Sequence, residues 1–575
     1  MSKENKLIIG SIVAVVIMAI GFTYAYFAAI IEGNRKNITI NMTDLRIIFN
    51  GGDTIEGSNL YSEDNFDVVK TFTIENKTKS EYKYNLVIED LVNTTATTGS
   101  LVYKITCDDT NGYNMTDFQD LPKALTATNT TLAYNIPIAS KALQTYTIEI
   151  KYINKVDVNQ SADMGAILSG QLFIEKFEYR NKNLTAVMLE DNPTISERTD
   201  FSVANTENTT GTLYKTNKTE DGSEVYYYSG NTTNNWVKFG KYQKDNIVYR
   251  GYYSETSSSY SEYATLEECT NATSYNKRCT EFTHGNVGDD MYWKIIRTNE
   301  DGSVRILYSG TSPDTTEGYI GESEINSYTN TQRSDYEPTY AEDPMYVGYM
   351  YGTSGSLENN RTNENDSTIK TYVDTWYQNY LLNNYDKYIS KSAVYCNDRS
   401  VPNNNYSISN HFDYGAYTRL VTNKAPSYKC GSNTTGGLFE STQAIEDKFS
   451  ASTEGGGNGQ LKYPIALMTA DELSFAGGKE HYTLPSPYAW FYSNSIGGSI
   501  VGKNEFWYFL SPYFWTANDS FVFFVDGYWP GSFGGESVTY STPVRPAISL
   551  SSCVNISYGD GTPSYPYVID ESSCS

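Results

Sequence analysis

Residues 463–478 read YPIALMTADELSFAGG, and residues 507–550 read WYFLSPYFWTANDSFVFFVDGYWPGSFGGESVTYSTPVRPAISL. The first stretch is regular. An apolar run leads into a short helix expected from about Thr469 to Phe475, which Gly477 and Gly478 end by adopting the left-handed conformation. The second stretch crowds Tyr, Trp and Phe between glycines, more than a buried core obviously requires. The contrast points to a rigid scaffold presenting an aromatic face. Large rings with few rotatable bonds give contact area at low entropic cost, which suits a binder better than an enzyme.

Working outward, DSTIKTYVDTWYQNYLL at 366–382 predicts a longer helix. Asp366 or Ser367 caps it, and Ile369, Tyr372, Val373, Trp376, Tyr377 and Tyr380 form one core-facing stripe. Two hairpins are expected, turning at Asp221-Gly222 and at Asp301-Gly302. Residues 241–290 between them read as an insertion, whose Cys269 and Cys279 would close a small loop. Further toward the N-terminus, 36–178 is strand-like throughout. Phe72 and Ile74, then Tyr84, Leu86 and Ile88, then Tyr146, Ile148, Ile150 and Tyr152, then Leu172 and Ile174 alternate with polar neighbours, as in a sandwich burying one face of each strand. Polar residues interrupt the pattern at 179–198, read as a linker, and 199–575 completes the chain.

Residues 7–31 carry no charge, with Lys3 and Lys6 before them and Glu32 after. That run exceeds the roughly 20 residues a membrane span needs, and its flanks place the N-terminus inside. A signal-anchor fits the length. A signal peptide cut near Thr23-Tyr24-Ala25 or at Ala28-Ala29 is the competing reading of segment 1–35. Both export the remainder, to the outer face of a cell membrane or into the medium. The seven cysteines are then disulfide candidates, and none forms a CxxC pair. Nearness in sequence favours Cys269–Cys279, Cys396–Cys430 and Cys553–Cys574, one of 15 connectivities for six cysteines, and leaves Cys107 over. A net charge of −25 excludes nucleic acid as partner and keeps an exported chain soluble. The 52 tyrosines are read mainly as codon bias.

Two resemblances follow from particular phrases. TFTIENKTKSEYKYNLVIEDL at 71–91, soon after FTYAYFAA, resembles the camelysin and TasA-like biofilm-fibre domains, exported β-sandwiches of which some polymerise. WVKFG at 236–240, YWKIIRTNEDGSVRILYSG at 292–310, IKTYVDTWY at 369–377, YCNDRS at 395–400, GNGQLKYPIALMTADELSFAGG at 457–478 and VRPAISL at 544–550 together resemble a domain of unknown function in bacterial surface proteins. That domain is similar to the C-type-lectin-like fold shared with formylglycine-generating enzymes and retroelement-diversified variable proteins. The fold class implied is mainly β plus α+β: leader helix, β-sandwich, then a C-type-lectin-like α+β domain.

In diversified members the variable residues precede a closing Arg-Pro phrase, here Val544-Arg545-Pro546. The resemblance therefore implies ligand-binding positions at Tyr513, Phe514, Asp519, Phe521, Tyr528, Trp529, Ser532, Phe533 and Tyr540. Gly527, Gly531, Gly534 and Gly535 read as loop, so many of these side chains should face water. For Phe521, Phe523 and Val525 an alternating core strand is the competing account, and for Phe523 it is preferred.

Catalytic signals are sparse. Cys553 and Cys574 lie beyond the Arg-Pro phrase, unlike the reactive pair of formylglycine-generating enzymes. Residues 497–503 nearly match a P-loop, but Asn504 replaces its Ser or Thr. His284, His411 and His481 have no second histidine at ligand spacing, and no GxSxG is present. Asp471 and Glu472 are expected to cap or solvate the short helix. The expectation is a non-catalytic ligand-binding surface protein without cofactor or metal, recognising an extracellular protein or glycan. The alternative is a subunit or decoration of a matrix fibre that self-assembles through the sandwich.

Overall fold

The structure is a computed structural model. It describes residues 26–32, 38–42, 45–50, 55–56, 60–61 and 67–574 except 98, 154, 156–157, 164–165, 178, 206–212, 231, 233, 253, 255–259, 273–277, 314–317, 322–343, 345–346, 354–358, 360–361, 397, 403–405, 431–446, 453–458, 481–506, 526–531 and 539–541. Most of the leader, His481 and the glycine-rich loop at 497–503 lie outside the described residues. At 44% strand and 13% helix the protein is mainly β. It divides into two compact units, Met1–Glu178 and Tyr179–Ser575.

Among its described residues the first unit has two six-stranded sheets. One runs, in spatial order, Ala124–Ile138, Tyr82–Asn93, Ala166–Lys176, Tyr26–Glu32 and Ile55–Glu56, with Leu60–Tyr61 also on Tyr26–Glu32. The other runs Ile38–Met42, Leu45–Asn50, Asp67–Asn76, Leu143–Tyr152, Leu101–Cys107 and Gln119–Asp120. Period-two alternation sends Phe72, Ile74, Tyr146, Ile148 and Ile150 from one sheet, and Tyr84, Leu86, Ile88, Leu172 and Ile174 from the other, into a single core. Tyr84 Oη lies 2.7 Å from both Gln144 Oε1 and Tyr146 Oη, a polar clasp inside that core. Cys107, the unpaired thiol, is half-buried at the end of its strand.

The expected leader helix does not extend to residue 35. Tyr26–Glu32 is a strand, paired in parallel with Ala166–Lys176 from Phe27↔Ala166 to Glu32↔Gln171. Its composition, YFAAIIE, is apolar enough to read as membrane span, but rings and isoleucines equally suit a buried strand. Among the described residues no helix is long and apolar enough to cross a membrane.

The segment expected as a linker at 179–198 instead belongs to the second unit. Lys182–Asn183 pairs with Asn555 and Ile556, and Asn183 caps the helix Leu184–Asp191, which buries Leu184, Val187 and Met188. Arg180 grips Asp191 through two hydrogen bonds of 2.6 and 2.7 Å. The segment's polar residues, though mostly exposed or half-buried, serve as cap and ion pairs of the second unit, so polarity there did not mean a linker. The unit's last strands, Asn555–Tyr558 and Tyr567–Ile569, thereby join its first elements in an eleven-stranded sheet.

Both hairpins form: Leu213–Thr216 with Val225–Tyr228, and Asp290–Thr298 with Val304–Tyr308. Lys241 pairs with Asp290 where the insertion leaves and re-enters. Within it, Asn246–Tyr252, Tyr260–Tyr263 and Arg278–Gly285 make a separate three-stranded sheet, held by Cys269–Cys279 and by buried Glu262 between Arg250 (2.9 Å) and His284 (2.8 Å). Cys396–Cys430 and Cys553–Cys574 also pair, which suits an oxidising, extracellular-type compartment. The long helix is Thr368–Tyr380, capped by Ser367, and its stripe is buried except for half-buried Tyr372.

The short helix Ala470–Ala476 is a hub. Thr469 and Glu472 form a capping box, and Gly477 closes it at φ +119°. Glu472 does more than cap: its Oε1 accepts from Arg297 Nε (2.9 Å) and Arg305 Nη1 (2.6 Å). Asp471 takes Arg419, which also binds Asp398. Of the two roles expected, capping holds for Glu472 and solvation for neither acid; both are buried with their guanidiniums. Burial alone would raise Glu472, but the charges of Arg305 and Arg297 hold its carboxyl below its ordinary value.

Candidate functional site

Five of the predicted positions, Tyr513, Phe514, Phe521, Ser532 and Phe533, fall on a five-stranded sheet ordered Phe412–Asp413, Trp507–Trp515, Ser520–Val525, Ser532–Ser537 and Lys479–Glu480, and Asp519 stands just before its third strand. Its second strand carries Pro512, tolerated because the register slips on both sides of it. Residues 532–537, expected as glycine-rich loop, are a strand in register with Ser520–Val525: Phe523 opposes Gly535 and Phe524 opposes Gly534. The glycines give room rather than flexibility. The Tyr513 ring occupies the space a Gly535 side chain would need.

This geometry corrects the expected exposure. Tyr513, Ser532 and Phe533 are buried, at 4%, 1% and 2% exposure. Tyr513 donates to Glu480 Oε1 (2.8 Å), and burial followed by that carboxylate pushes its phenol well above the ordinary value. Phe514, Asp519 and Phe521 are half-buried, and Asp519 accepts from Ser537 Oγ at 2.9 Å. Burial raises the Asp519 carboxyl. Tyr528, Trp529 and Tyr540 lie outside the described residues. Phe523 is fully buried, in line with the core-strand reading.

The rings are continuous from core to surface. Phe533 meets Phe523 at 5.6 Å between centroids, Phe523 meets Tyr513 at 4.6 Å, Tyr513 meets Phe514 at 4.8 Å, and Phe514 meets Phe521 at 4.6 Å. Two contributors escaped the sequence reading. Tyr417, half-buried, stands edge-on to Tyr513 at 4.7 Å, and exposed His411 sits 5.2 Å from Phe514 and 3.1 Å from Asp413. They arrive because Phe412–Asp413 pairs with Trp515 and Phe514, a contact across about a hundred residues that no local pattern announces. The outcome is a ledge of Tyr417, Phe514 and Phe521 on buried aromatic supports, with carboxylates at Asp413 and Asp519. Such a surface stacks on flat or apolar groups and offers acceptors beside them. Among the described residues no group of three or more His, Cys, Asp or Glu could hold a metal ion.

No family model matches this chain, and no curated protein matches it. A solved structure described as "AvmM Catalyzes Macrocyclization in Alchivemycin A Biosynthesis" is similar at 8% identity over 25% of this chain and 95% of that one, with a TM-score of 0.13. A likeness that slight carries no argument about fold or activity.

Proposed function

We propose that this is an exported, non-catalytic recognition protein whose second unit, similar to C-type-lectin-like domains, meets an extracellular protein or glycan at the aromatic ledge. The observation that carries the reading is the ledge itself: half-exposed Tyr417, Phe514 and Phe521 stand on rings locked by Tyr513, Phe523 and Phe533. Preorganised aromatic anchors bind without a large ordering cost. Tyr528, Trp529 and Tyr540 are proposed to take part in the same recognition; they lie outside the described residues. The first unit serves as a stalk, anchored through residues 7–25 or released by cleavage. Cleavage at Ala28-Ala29 would divide the strand Tyr26–Glu32, whereas a cut after Ala25 spares it, so the latter is the favoured processing site.

A second reading, a matrix-fibre subunit, draws on one observation. Among the described residues Ala124–Ile138 is a fifteen-residue edge strand without a charged residue, and Leu125 on it is 79% exposed. Unpaired backbone on such an edge templates further strands. Glycan and protein arrays probed with the exported chain separate the two. Binding that falls at least tenfold in both Phe514→Ala/Phe521→Ala and Tyr528→Ala/Trp529→Ala supports the ledge, and equal binding by the variants removes it. Filaments from the purified chain, with no array ligand, would favour the fibre.

A further inference from the structure

The tetrapeptide Glu-Asp-Gly-Ser occurs twice, at 220–223 and 300–303. Each copy makes the same turn. The Asp carboxylate accepts from the Ser backbone two residues on (2.8 and 2.9 Å), and the Gly sits at φ +77° and +78°. Eighty residues apart in sequence, the two turns meet in space, because Tyr227 pairs with Arg297 and the Glu220 N–H reaches Glu300 Oε1 at 3.4 Å. Together with the Cys396–Cys430 disulfide they line a half-open cleft of about 210 Å³.

Four acidic residues line it: Glu220, whose Oε1 accepts from the Cys430 N–H, Asp221, Glu300 and Asp301. Neighbouring cations answer them only in part. Lys448 stands 3.7 Å from Glu220, and Arg297 stands 3.7 Å from Glu300 while bonding Glu472 at 2.9 Å. Separations of 3.7 Å are beyond hydrogen-bond length. Asp301 is already taken by Ser303, Ser390 and Ser392.

A second feature is independent of the charges. Asn299 lines the cleft, is 6% exposed, and its Oδ1 has no hydrogen-bond partner. Its amide cannot simply turn over, because Nδ2 donates to Ser303 Oγ (2.9 Å), whose own proton goes to Asp301 (2.5 Å). Tyr428, another lining residue at 5% exposure, also carries an unpartnered oxygen. Buried polar oxygens without partners are rare, and the Asn299 oxygen, an acceptor only, marks a missing donor beside the acidic cleft.

We propose that the cleft binds a primary ammonium group, presented by a lysine side chain or by an amino sugar. An ammonium brings three N–H donors and no acceptor, which complements carboxylates and an orphaned amide oxygen. The repulsive field excludes anions. A bare metal ion fits poorly, because among the described residues these acids do not converge on one point. The cleft is below the roughly 300 Å³ of common ligand pockets, so it suits one charged head rather than a whole oligosaccharide.

Titration calorimetry of the full chain tests this with tetralysine and glucosamine, beside acetylated tetralysine and N-acetylglucosamine. One amine probe is expected to bind at 1:1, its acetylated form at least tenfold more weakly. Tetralysine would assign a basic peptide, glucosamine an amino sugar. Glu220→Gln/Glu300→Gln should lose at least tenfold. Ser392→Lys should do the same by placing its own ammonium from an exposed position at the cleft; it gives up the Ser392 hydrogen bond to Asp301, which Ser303 and Ser390 still hold. Phe514→Ala should bind normally, which keeps this site distinct from the ledge. No saturable binding of either amine, equal binding after acetylation, or full binding by Ser392→Lys (the signature of diffuse attraction to a chain of net charge −25) would overturn the proposal.

Discussion

The ring of Tyr513 lies against the bare Cα of Gly535: a Cβ on that glycine would sit 1.9 Å from Tyr513 Cδ1. Tyr513 also touches Phe514, Phe523 and Tyr417, so this one missing methyl sets where the whole aromatic ledge stands. Gly535→Ala should lower stability by about 1–3 kcal/mol, as overpacking does. It should also displace Phe514 and weaken ledge binding beyond what stability explains. Thermal unfolding and array binding of the variant check both.

Glu472 neutralises two buried arginines, and removing its charge strands them. Glu472→Gln should cost about 3–5 kcal/mol at neutral pH. The carboxyl is held below its ordinary value of 4.5, so its contribution is present above that pH and is lost as pH falls through the lower folded value. The stability gap between the native protein and Glu472→Gln, followed by urea unfolding from pH 7 downward, should therefore narrow below about pH 4.5.

Cys396–Cys430 closes a span of 34 residues and forms one wall of the acidic cleft. Cys396→Ser/Cys430→Ser should destabilise the second unit by about 3–4 kcal/mol on the chain-entropy account. Comparing its unfolding midpoint with that of the native chain under reductant checks the figure, since reduction should erase the difference.

Tyr84→Phe deletes one hydroxyl from the clasp with Gln144 and Tyr146. Gln144 Oε1 then keeps only the longer 3.4 Å contact from Tyr146. A loss of about 1–2 kcal/mol is expected, confined to the first unit's unfolding transition. Hydrogen exchange resolved by segment would show it: faster exchange in 82–93 and 143–152, unchanged rates in 368–380.

Much of this architecture was visible in local patterns. Alternating apolar residues marked the sandwich strands, Asp-Gly pairs marked both hairpins, and a cap followed by an apolar stripe marked Thr368–Tyr380. Three cysteine couples near in sequence are the three that pair. Misreadings arose where one residue type serves two environments. Tyr26–Glu32, apolar enough to read as part of the leader, pairs as a strand, and Gly535 is small for a ring rather than for a loop.

Short-range periodicity reports which face of an element avoids water, because that face repeats every two or every 3.6 residues along the chain. It does not report which distant side chain will meet it. The arginines around Asp471 and Glu472, the arrival of Tyr417 and His411 beside Phe514, and the union of two identical acidic turns depend on contacts across some 50 to 175 residues. Those encounters are chosen by how the sheets pack, and packing is a property of the folded chain.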